Sequence, residues 1–90
     1  MNNTISLKAS DKIRKVLLNN WDPIGVSEFD GAEDEYDQYI PAIYELILSN
    51  ASEQAFFDYL WHIETDLMGL GGDVKNTKKA SILCKNLEIS

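Results

Sequence analysis

The chain has almost nothing with which to build a zinc site or a disulfide: one cysteine, Cys84, and one histidine, His62, in 90 residues. A lone cysteine closes no internal bridge, and the two residues fall short of the Cys and His quartet of a structural zinc. Cys84 sits in an apolar helical pattern, where cysteine packs as a small hydrophobe, so a Cys84–His62 nucleophilic pair is set aside. Basic residues are scarce too. Eight Lys and Arg stand against fifteen Asp and Glu, for a net charge of −7. Direct binding to nucleic acid or to an anionic membrane needs a basic footprint and is not expected. No apolar run approaches the roughly 18 residues of a membrane span. The opening residues lack the basic-then-apolar order of a secretory signal, so a cytoplasmic location is expected. Repeats, low-complexity tracts and convincing strand patterns are missing as well.

What is present is the composition of a globular chain, 44% hydrophobic and 26% charged, long enough for one domain over residues 1–90. Four segments carry helical periodicity. Ile13, Val16 and Leu17 share one face of a helix over residues 11–20, with Ser10 as its cap and Trp21 extending the stripe. Asp22-Pro23 stops it, since the residue before proline is pushed out of the α region. Ile5 and Leu7 suggest a short extended arm upstream. Ile24, Val26 and Phe29 make the following connector apolar enough to fold back on the bundle.

A second stripe, Tyr36, Ile40, Ile43, Tyr44 and Ile47, marks residues 33–49. Pro41 lies inside it. Either the helix kinks there, which is the favoured reading, or a short acidic turn precedes a helix that takes Pro41 in its first turn. Asn50 and Ser52 compete to cap a third helix over residues 51–68, with Phe56, Leu60, Ile63 and Leu67 facing inward and Phe57 and Trp61 beside them. Gly69, Gly71 and Gly72 end it. Asp73 caps a last helix to residue 87, whose buried side reads as Val74, Ala80, Leu83, Cys84 and Leu87. The expected fold is all-α, a small bundle of three to four helices.

Charge is strongly segregated. Residues 1–21 carry a net +3 and residues 67–90 a net +2, whereas residues 22–66 hold twelve acids and no Lys or Arg. Six of the acids, Glu28, Asp30, Glu33, Asp34, Glu35 and Asp37, fall within ten residues. Such a cluster destabilises the compact state by self-repulsion. Three explanations compete. It is a solvated face, or a calcium loop, or an electrostatic surface for a basic protein. The calcium reading fails on order, because the residues from Asp30 to Glu35 lack the D-x-[DN]-x-[DN]-G arrangement. Tyr36 and Tyr39 lie among the acids, and tyrosine supplies contact area with a polar tip at interfaces.

Enzymatic readings find less support. Acid–base catalysis needs carboxyls in contrasting environments within a pocket. Glu33, Glu35 and Glu64 are conceivable metal ligands, but the Glu-x-x-His pattern of carboxylate bundles is missing, since Tyr59 stands three residues before His62. Glu64 and Asp66 read as a polar helix face, and His62 as a partly exposed helix residue. No catalytic residue, metal or cofactor is expected.

Three patches carry a resemblance: Trp21 to Val26 (WDPIGV), Asp34 to Tyr44 (DEYDQYIPAIY), and Tyr59 to Glu64 (YLWHIE) leading to Met68-Gly69-Leu70. Together they resemble a group of small acidic bacterial helical proteins with a WDPIGV…DEYDxYIPxIY…YLxxIE…MGL pattern. Some of these look like immunity proteins of contact-dependent growth inhibition and related polymorphic-toxin loci. The likeness covers residues 13–70. It implies a protein that binds and neutralises a cognate toxin, with no chemistry of its own. A nuclease toxin presents basic surface to phosphate, so an acidic inhibitor suits it. The expected partner-binding residues are Glu28, Asp30, Glu33, Asp34, Glu35, Tyr36, Asp37 and Tyr39. The alternative is a housekeeping interaction module with no toxin partner.

Overall fold

Helix α1 (Leu7–Val16) starts earlier than its apolar stripe suggests, because Ser6 and not Ser10 is the cap. The Ser6 hydroxyl accepts the Ala9 N–H at 3.1 Å, satisfying one of the amide donors left free at a helix start. This corrects two expectations, the cap at Ser10 and the extended arm at Leu7. Leu7 belongs to the helix, at 86% exposure, and Ala9 joins Ile13 and Val16 on the buried side. The computed structural model describes residues 6–23, 25 and 35–87. Ile5, Ile24, Val26 and Phe29 lie outside them.

Residues Leu17–Trp21 continue α1 as one wide π-helical turn. It closes with the Asp22 N–H on the Leu17 carbonyl at 2.8 Å, and Asp22 then turns left-handed at φ 33°. The proline that follows thus coincides with the stop expected of it.

The second helix resolves the question of Pro41 against the kinked reading. A 3-10 turn (Asp37–Tyr39) precedes α2 (Ile40–Leu48), and Pro41 occupies the first turn. Proline costs nothing there, because its missing N–H would have had no partner in the helix. Tyr36, Ile40 and Ile43 are buried, and Tyr44 and Ile47 pack against them. Asn50 takes a left-handed φ of 56° beyond the end of α2. Ser52 caps α3 (Glu53–His62), accepting the Ala55 N–H at 3.2 Å.

α3 also ends in a π-helical turn, Ile63–Leu67, closed by the Met68 N–H on the Ile63 carbonyl at 2.8 Å. The extra residue per turn rotates the inward face. Phe56, Leu60 and Ile63 are buried as the periodicity requires, but Leu67 is 63% exposed and Glu64 only 3%. Both expectations for these positions are therefore corrected. Between α3 and α4, Gly72 has φ +87°, and a Cβ there would collide with the Trp61 ring.

Asp73 caps α4 (Val74–Lys85) as expected, accepting the Asn76 N–H at 3.1 Å. The buried side of α4 is Thr77, Ala80, Ser81 and Cys84, while Val74 and Leu83 are 57% and 37% exposed. Small side chains let α4 lie close against the bundle, and the Ser81 hydroxyl is satisfied by donating to the Thr77 carbonyl at 2.7 Å. The four helices form a bundle with no strand among the described residues. α4 packs mainly on α3 and on the π turn that ends α1.

Candidate functional site

The two π turns meet at a buried polar node. Trp21, at the end of the first, is 1% exposed, and its indole Nε1 donates to Glu64 Oε1 at 3.3 Å. Thr77 Oγ1 donates to the same oxygen. Glu64 Oε2 accepts the backbone N–H of Asp73, the α4 cap, at 2.8 Å. Asn76 Nδ2 completes the node by donating to the Trp21 carbonyl at 2.6 Å. One carboxyl group thus ties together the ends of α1 and α3 and the start of α4. Every buried side-chain nitrogen and oxygen among the described residues has a partner, as buried polar groups require.

The described flanks of the acidic segment rest on this node. The Tyr36 hydroxyl donates to Asp22 Oδ1 at 2.7 Å, so the residues on either side of 23–35 touch. The Tyr36 ring packs on Trp21 at 5.3 Å between centroids, and Tyr39 meets the same indole edge-on at 6.2 Å. Asp37 is gripped by Arg14, whose Nε and Nη2 donate to its two carboxylate oxygens at 2.8 and 2.9 Å. Arg14 Nη1 also reaches Asp11 at 2.7 Å. Hydrogen bonding to the Asp37 carboxylate, followed by the charges of Asp37 and Asp11, raises the guanidinium pKa against the opposing effect of burial.

Of the expected binding residues, Glu28, Asp30, Glu33 and Asp34 lie outside the described residues. Glu35 is exposed. Tyr36 is 1% exposed and belongs to the core, so its ring supplies no free contact area in this conformation. Asp37 is half-buried in its ion pair and Tyr39 half-buried against Trp21. Glu45, Glu53 and Asp58 add exposed carboxylates from α2 and α3 with no salt bridge among the described residues. His62 is exposed and bonds to Asp66 through Nδ1 at 2.8 Å.

Glu64 is the residue whose role sequence reasoning missed. Its signal was its place four residues after Leu60 and eight after Phe56, on the apolar face. Arg14 also had a signal, as the single arginine of the chain, because its planar fork suits a carboxylate where a lysine does not.

Among the described residues, no group of three His, Cys, Asp or Glu is placed to hold a metal ion, and no helix is long and apolar enough to cross a membrane. No family model, curated protein or solved structure matches this chain.

Proposed function

We propose that this protein is an immunity protein: in the cytoplasm it binds a cognate bacterial toxin domain and covers its basic, nuclease-type active-site cleft with acidic surface. The observation that carries the reading is the segregation of charge, twelve acids and no Lys or Arg across residues 22–66. Arg14 reaches into this region from α1 and pairs there with Asp37. Glu35, Glu45, Glu53 and Asp58 remain exposed without a salt bridge among the described residues. Complementary charge of this kind steers association, lifting rates to about 10⁸–10⁹ M⁻¹s⁻¹ at low salt.

In this reading Glu28, Asp30, Glu33, Asp34 and Glu35 lie where substrate phosphates would lie. Tyr36, Asp37 and Tyr39 hold the end of that segment on the bundle, and of the three only the half-buried Asp37 and Tyr39 touch the partner, at the edge of the interface. Neutralisation is by occlusion, so neither catalysis nor a cofactor is involved.

The test takes as partner any toxin-like domain that is encoded beside the gene for this chain. Glu28, Glu33 and Glu35 are changed to Gln and Asp30 and Asp34 to Asn, while Asp37 is kept so that Arg14 stays paired. The wild-type chain should protect a toxin-exposed cell and bind faster at low salt than at high. The neutralised variant should associate more slowly, with a flatter salt dependence, and fail to protect. Equal binding by both chains at every salt concentration sinks the acidic-surface reading. Lack of any toxin partner leaves the chain as an interaction module of another kind.

A further inference from the structure

α4 is attached to the bundle differently from the other helices. α1 and its π turn bury Ile13, Val16, Leu17 and Trp21, α2 buries Ile40 and Ile43, and α3 with its π turn buries Phe56, Leu60 and Ile63. The buried residues of α4 are Thr77, Ala80, Ser81 and Cys84, none of them a large apolar side chain, while its Val74, Ile82 and Leu83 lie exposed. Hydrogen bonds hold it at both ends. At its start the Asp73 N–H and the Thr77 hydroxyl donate to Glu64, and Asn76 Nδ2 donates to the Trp21 carbonyl. At its end Lys85 Nζ donates to the Ala51 carbonyl at 2.7 Å.

An attachment of this kind is cheaper to undo than an apolar one. Each tie exchanges its protein partner for water at a small net loss, whereas a large apolar side chain gives up its burial outright. The connection to α3 also permits movement. The Leu70 N–H bonds back to the Glu64 carbonyl at 3.0 Å, and the exposed Gly71 and Gly72 then lead to the Asp73 cap. Two adjacent glycines absorb a change of chain direction at little steric cost. We propose that α4 is a strap that swings off as a unit about Gly71–Gly72 while α1, α2 and α3 stay folded. Opening uncovers the apolar faces of α3 and of the Leu17–Trp21 turn, against which α4 packs. It also takes two of the three donors from Glu64, so the buried node is the catch that keeps the strap down. Units of this sort open at free energies below that of global unfolding.

Cys84 reports the opening, because its buried thiol becomes reachable when α4 lifts. The purified chain is labelled with an aromatic disulfide reagent from zero to sub-denaturing urea, beside urea unfolding followed by circular dichroism. Cys84 should become accessible at least about tenfold more often than the whole chain unfolds, with a weaker urea dependence. The amides of α4 should exchange hydrogen through the same opening, ahead of those of α3. Asn76→Ala and Lys85→Met, each removing one tie, should raise the opening by about fivefold. Ile40→Val, on α2, should favour global unfolding by about fivefold and leave Cys84 labelling unchanged. Labelling that matches global unfolding in frequency and urea dependence overturns the proposal. So does rapid labelling with α4 amides as protected as those of α3, because the thiol is then reached without the helix lifting. A rise in labelling on Ile40→Val equal to its effect on unfolding overturns it as well. The measurement uses this chain alone, so its failure is separate from any failure of toxin binding.

Discussion

Glu64 accepts the indole N–H of Trp21 at 3.3 Å from a position 43 residues further along the chain. With Thr77 and the Asp73 backbone also donating to it, the carboxyl group is the acceptor for three separate segments. Removing it leaves three buried or half-buried donors without a partner, each costing about 1–3 kcal/mol. Glu64→Ala should therefore lower stability by about 3 kcal/mol or more. For a domain of this size the melting temperature then falls by roughly 12 °C or more. Glu64→Gln keeps one acceptor oxygen and should lose clearly less. Thermal unfolding of the two variants decides the matter, and an alanine variant that melts with wild type means the node contributes nothing.

A second expectation concerns the π turn that brings Glu64 inward. Uninterrupted periodicity puts Leu60 and Leu67 on one buried face, whereas Leu60 is 1% exposed and Leu67 63%. Leu60→Ala should cost about 2–5 kcal/mol through lost burial and the cavity left behind. Leu67→Ala should stay within about 0.5 kcal/mol of wild type. Comparable losses at the two positions in urea unfolding would mean that α3 runs on as a regular helix through residue 67.

These two positions show what the sequence could carry and what it could not. Periodicity locates all four helices, because a stripe such as Tyr36, Ile40 and Ile43 has one way to be buried. It cannot announce a π turn, since the extra residue is set by what the turn lets neighbours reach, here Trp21 and the start of α4. It also misreads α4. Thr77 and Ser81 are fully buried while Val74 is exposed, because close approach favours small side chains and the hydroxyls find acceptors in Glu64 and the Thr77 carbonyl. Pro41 obeyed its local rule, and only the competing stripe made a kink look preferable. Of the candidate surface, the segregation of charge was fully legible. The pairing of Arg14 with Asp37, 23 residues apart, was not, since spacing along the chain says nothing of contacts between helices.

Cys84 provides the pH-dependent expectation. It is fully buried in α4, and desolvation pushes its thiol from 9.0 up to about 12. The unfolded chain releases this proton near pH 9.0, while the folded chain holds it to about pH 12. The thiol's contribution to stability is therefore complete below pH 9.0 and is lost as pH rises towards about 12. The loss proceeds at up to about 1.4 kcal/mol per pH unit. Lysines and tyrosines titrate over the same range, so the informative quantity is the difference between wild type and Cys84→Ala. The variant should be less stable at neutral pH, by about 1 kcal/mol, through loss of the buried sulfur. Lacking the thiol, it should then decline less steeply in alkali, and the two stability curves should meet at about pH 10 and cross above it. Parallel curves from neutral pH to pH 11 would mean that water reaches Cys84 in the folded chain and that α4 is less closely seated than its small-residue face indicates.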